Sequence, residues 1–139
     1  MIGRIVALSL AAILLGSCGA AAQDLTLSAS SIRAAFIAKG IPIVPGRAVR
    51  FGVYRAKILE VDPKKLVTPH SIRSEFLVIY VLPSTESRIA AMRKPEMRTF
   101  LDANGLKVIA RENVIVTLLR KSVSSSYVAR IRAALAAAK

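Results

Sequence analysis

"EFLVIYVL", residues 75–82, is the stretch whose reading decides the fold. Beyond Glu75 it is a continuous apolar run between breakers, with Ser74 before the stretch and Pro83 after it. A short run of this kind predicts a central strand covered on at least one face. Immediately downstream, Pro83-Ser84-Thr85-Glu86 predicts a helix start, with Ser84 or Thr85 as the cap and Glu86 in the first turn. Pro95 interrupts the helical pattern that follows. The pattern therefore predicts a kink, or two short helices meeting at Lys94, the second ending at Asn104-Gly105. Met92, Met97 and Phe100 read as core-facing residues of this segment.

Upstream, Ser30 or Ser31 caps a predicted helix running to about Lys39, with Ile32, Ala35 and Phe36 on one face and Gly40 as the stop. Pro42, Pro45 and Gly46 read as a turn. "AVRFGVYRAKILEV", residues 48–61, then alternates as a half-buried strand, Val49, Phe51 and Val53 facing one way and Arg50 and Tyr54 the other. The alternation slips around Arg55 to Lys57, which predicts a bulge or a strand end there. "DPKKLVTPHSIRS", residues 62–74, reads as a connecting loop.

Toward the end of the chain, "LKVIARENVIVTLLR", residues 106–120, returns to strand chemistry. Its polar centre, Arg111-Glu112-Asn113, predicts either a tight antiparallel turn or an irregular entry into one longer strand. Ser124 to Ser126 then cap a helix in which Val128, Ile131, Leu135 and Ala138 recur on one face. This order of elements predicts an α/β (α+β) two-layer sandwich, with helices on one face of a small, mainly antiparallel sheet.

The first residues have a different character. A single cation, Arg4, precedes Ile5 to Leu15, eleven residues (15 − 5 + 1) interrupted only by Ser9. This is the core of a signal peptide, shorter than the about 20 apolar residues needed to span a bilayer. It ends in Leu15-Gly16-Ser17-Cys18, which resembles the lipobox of bacterial lipoproteins: an aliphatic residue, two small residues and a cysteine. The resemblance implies that Cys18 is lipidated and becomes the new N-terminus, so that residues 1–17 are leader, 18–29 a short tether and 30–139 a single domain. The alternative is cleavage after Ala20-Ala21-Ala22, which releases a soluble chain starting at Gln23 and makes residues 1–22 the leader. Cys18 is the chain's one cysteine, so no intrachain disulfide forms, and the domain must stand on its apolar core. In overall plan the chain is similar to small bacterial lipoproteins or secreted envelope proteins, on the leader, "IRAAFIAKGIP" and the late "ENVIVTLL". That likeness implies a fold plan and an envelope address, and no activity.

Charge is the other dominant fact. Twenty-one Lys and Arg stand against 8 Asp and Glu, and removing Arg4 with the leader leaves 20 − 8 = +12. Such a surface attracts anions: lipid head groups, surface glycopolymers or, less favoured, nucleic acid. One segment focuses this chemistry. In "LLRKSVSSSYVARIR", residues 118–132, Arg120 and Lys121 lead into Ser124, Ser125 and Ser126 at a helix start, where a phosphate or sulfate would be held. The segment lacks the glycines of a phosphate loop, and serine capping alone also accounts for the hydroxyls.

Catalytic chemistry finds little to use. His70, the one histidine, sits in Thr68-Pro69-His70-Ser71 and reads as a solvated loop residue. One histidine and one cysteine supply no metal-ligand cluster, and Glu60 and Asp62 beside Pro63 shape a turn. The sequence therefore reads as a non-enzyme without cofactor or metal. It is expected to be exported and held in the cell envelope through the lipid, where its basic domain meets an envelope component or a protein partner. A soluble secreted polyanion binder is the alternative.

Overall fold

The computed structural model describes residues 25–65, 77–121 and 123–139. The elements are α1 (Ala29–Ala38), β1 (Ile43–Pro45), β2 (Val49–Phe51), β3 (Tyr54–Val61), a 3₁₀ turn (Pro63–Lys65), β4 (Leu77–Val81), α2 (Thr85–Arg93), α3 (Pro95–Ala103), β5 (Leu106–Arg111), β6 (Val114–Leu119) and α4 (Ser125–Ala137). All pairings are antiparallel, in the order β1-β3-β4-β6-β5, with β2 pairing on β3. The α+β class and the antiparallel sheet are as the sequence predicts.

β4 lies in the middle of the sheet between β3 and β6. Leu77, Ile79 and Val81 are buried on one face, while Val78 and Tyr80 point to the other. β6, inserted between β4 and β5, is buried from Val114 to Leu118 on both faces. Its residues thus divide between two layers. Val114, Val116 and Leu118 pack with Ile32 and Phe36 of α1 and Ile131 and Leu135 of α4. Ile115 packs with Ala56, Leu82 and Ala91 of α2. Met97 and Leu101 of α3 continue that second layer against Leu106. The helices are therefore not confined to one face. α1 and α4 form the expected layer, and the short α2–α3 pair covers the opposite face, because the apolar residues of β6 do not alternate with polar ones.

Local chemistry sets the boundaries. α1 is capped by Ser28, whose Oγ accepts from Ser31 N at 3.1 Å, so the helix starts earlier than Ser30 or Ser31 would allow. At its end Gly40 has φ +74°, Ile41 N donates to Phe36 O and Gly40 N to Ile37 O. This is the Schellman arrangement, which only a left-handed residue after the cap permits. Ser84 caps α2, and Ser84 and Ser87 exchange backbone N–H to Oγ bonds at 3.0 Å. Lys94 is extended and Pro95 opens α3, giving the two short helices expected there.

Two readings of the sequence are corrected. Residues 48–61 are not one strand with a slip. Phe51 pairs with Tyr54 across a two-residue turn of Gly52 (φ +60°) and Val53, and Val53 is 83% exposed. A glycine with positive φ at the first turn position suits a primed hairpin turn. Likewise, Ile43–Pro45 is not part of a turn but a short edge strand on β3, where Pro45 is tolerated because the edge needs no further donor. Of residues 75–82, positions 75 and 76 lie outside the described residues.

The tight turn at Glu112-Asn113 carries the central polar knot. Asn113 is fully buried. Its Oδ1 accepts from Leu27 N at 2.7 Å, and its Nδ2 donates to Leu27 O at 2.9 Å and Leu82 O at 2.8 Å. Leu27 itself is 1% exposed and belongs to the main core. Leu27, expected from the sequence to lie in a tether at 18–29, is thus part of the main core.

Candidate functional site

The serine-rich loop before α4 is built as a cap. Ser124 Oγ accepts from Tyr127 N at 3.2 Å and lies 3.1 Å from Ser126 Oγ. Arg120 pairs with Asp102, its Nη2 3.4 Å from Oδ1, in the one ion pair among the described residues. Lys121, Ser125 and Ser126 are exposed. Of the candidate set Arg120, Lys121, Ser124, Ser125 and Ser126, the fold joins Ser124 to Ser126 and pairs Arg120 with Asp102. Nothing in the spacing of the sequence gave Asp102 as its partner, since the whole β5–β6 hairpin lies between the two.

A groove of about 350 Å³ opens between the β2–β3 hairpin and the α2–α3 pair. Its apolar wall is Val49, Phe51, Tyr80, Met97 and Phe100, with Arg50, Lys94 and Glu96 as charged members. Phe51 and Tyr80 meet edge to face, their ring centres 5.0 Å apart. Phe100 is 45% exposed, so it lines this groove and is not core-facing as Met97 is. Lys94 Nζ lies over Gly52, where a Cβ would clash with it. Burial pushes the Tyr80 hydroxyl above the usual phenol range; the side-chain hydrogen bond with Thr117 works against this, and the charge of Glu60 adds to it.

Another group of cations gathers on the β2–β3 hairpin and α1. Arg50 and Arg55 are directly opposed on the β2–β3 hairpin. Strand alternation puts Lys57 on the same face as Arg55. Arg55 and Lys57 line a hollow with Thr26, Leu27 and Ser28. Lys57 and Arg33 line the adjoining hollow with Ala29 and Ser30. Neither hollow is lined by a carboxylate. Arg33 is held in place by a 3.1 Å bond from its Nε to Ile43 O. The sequence concealed this cluster because its members come from α1, β2 and β3 and only the sheet register assembles them.

No group of three or more His, Cys, Asp or Glu able to hold a metal forms among the described residues. His70 and Cys18 lie outside the described residues. No described helix is long and apolar enough to cross a membrane. Comparison of the chain with protein-family models, with curated proteins and with solved structures returned no match.

Proposed function

We propose that the chain is an exported, non-catalytic protein of the bacterial cell envelope, anchored by lipid on Cys18, whose basic domain binds an anionic envelope component or a protein partner. The observation that carries this reading is Leu15-Gly16-Ser17-Cys18 placed at the end of an eleven-residue apolar core. Acyl chains contribute about 0.8 kcal/mol per buried CH₂, so two chains on Cys18 make a stable anchor without a spanning helix. Surface charge supports the same reading, since 20 cations of the chain after the leader face 8 carboxylates. The described part of the domain joins only one such pair.

The experiment is fractionation of cells expressing the full chain or its Cys18→Ser variant. Release of the variant from membranes is expected, and equal membrane retention of both contradicts the anchor. Ala20-Ala21-Ala22 favours the second reading, a soluble domain starting at Gln23 that binds DNA or a surface glycopolymer. Binding through several phosphates weakens steeply between low and moderate salt, and a flat response removes nucleic acid from that reading.

A further inference from the structure

We infer that Arg33, Arg50, Arg55 and Lys57 form the face on which the domain rests against anionic phospholipid, with the end of the sheet that holds Leu27 turned toward the bilayer. The inference rests on the anchor at Cys18 and adds to it an orientation and a lipid class. Its first support is chain length. Leu25, the first described residue, is seven positions from Cys18 (25 − 18). Fully extended, seven residues reach at most about 25 Å. The 115 described and enclosed residues from Leu25 to Lys139 (139 − 25 + 1) correspond to a domain about 35 Å across. A link shorter than the domain's width lets the Leu27 end reach the membrane. It does not let the domain stand on its opposite end.

Charge is the second support. Thr26 and Leu27 share a hollow with Arg55 and Lys57, so two of the four cations stand at the point where the link enters. Opposing Arg50 to Arg55 across a hairpin is repulsive, and an anionic surface relieves that repulsion. Of the carboxylates at this end, Glu112 stands in the β5–β6 turn next to Asn113, which holds Leu27, and Arg88, whose Nε donates to Glu112 O, places a cation beside it. Attraction to the bilayer falls off within a Debye length of about 8 Å. The face must therefore lie on the lipid, and a distant field does not suffice.

The test uses the full lipidated protein, purified from membranes and reconstituted into vesicles of phosphatidylcholine alone or of phosphatidylcholine with phosphatidylglycerol. Limited acetylation is followed by mass spectrometry at Lys57 and at Lys107, which is exposed on β5 at the other edge of the sheet. Lys57 is expected to react several-fold more slowly on the anionic vesicles only, with recovery in high salt, while Lys107 is unchanged. The Arg50→Gln/Arg55→Gln double variant removes two charges. At about fivefold each it is expected to lower the ratio of docked to undocked domain by about twenty-five-fold and restore the Lys57 rate. Equal Lys57 rates on the two vesicles, or equal protection of Lys57 and Lys107, overturn the orientation. Intact mass of the same sample separates the two claims: an unacylated chain overturns the anchor and the orientation together, whereas an acylated chain with no protection overturns the orientation alone.

Discussion

Asn113→Ala removes one amide and, with it, three bonds that hold separate parts of the chain together. The side chain spans from the β5–β6 turn to Leu27, 86 positions away, and to Leu82, 31 positions away. In the variant Leu27 N loses its acceptor and the carbonyls of Leu27 and Leu82 lose a donor, all in a region closed to water. Each bond contributes a net of about 1 kcal/mol, and each orphaned buried group adds a further cost, so a loss of about 3–5 kcal/mol is expected. That is a large part of the about 5–15 kcal/mol typical of a domain. Urea unfolding followed by circular dichroism reads it as a midpoint lowered by about 2 M, at a slope near 2 kcal/mol per M. Asn113→Asp sharpens the reasoning, because it keeps the acceptor for Leu27 N but turns acceptor oxygens toward two carbonyls. Burial raises the folded-state pKa of the new carboxyl above its unfolded value, so the variant loses stability as pH rises through that range. A loss under about 1 kcal/mol in Asn113→Ala would refute the role given to this residue.

The remaining predictions concern the capping, titration and charge of single sites. Ser84→Ala removes the acceptor of the Ser87 N–H while leaving the bond from Ser84 N to Ser87 Oγ, and should cost about 1 kcal/mol by the same unfolding assay, with helix loss confined to α2 in hydrogen exchange. Tyr80 holds its proton more tightly when folded than its ordinary value of 10.0. The folded state is therefore favoured below pH 10, and that contribution is lost as pH rises from 10 through the raised folded value. The alkaline decline should be shallower in Tyr80→Phe, and an identical decline in both proteins contradicts the assignment. Asp102→Asn should change stability by less than about 0.5 kcal/mol, since the Arg120–Asp102 pair is 58% and 62% exposed; a larger loss in urea unfolding would count against a solvent-screened contact.

How much of this was legible in the sequence depended on whether the signal was local. β4, the break at Lys94-Pro95, the stop at Gly40 and the Ser124 cap all follow from residues within one turn of themselves. The β2–β3 hairpin was missed because Gly52 is followed by Val53, an apolar residue that continues the alternation while standing exposed in the turn. Asn113 could be read as a turn residue, but its bond to Leu27 is set by tertiary packing across most of the chain. The helix layer over the second face was hidden for a related reason. Continuous burial in β6 signals cover on both sides, yet the α2–α3 pair that supplies it has little apolar patterning of its own until Met97 and Leu101 meet Leu106. In the candidate anion loop the serines were legible as capping groups. The cations gathered on the β2–β3 hairpin and α1 were not, because three elements contribute them.

The central claim is the lipid anchor, and intact mass tests it most directly. Protein expressed in a lipoprotein-competent bacterium is recovered separately from membrane and soluble fractions, and each is weighed. The account predicts a membrane form whose chain begins at Cys18 and carries the added mass of diacylglycerol on that residue. A soluble form beginning at Gln23, with no acylated species in the membrane fraction, would contradict it.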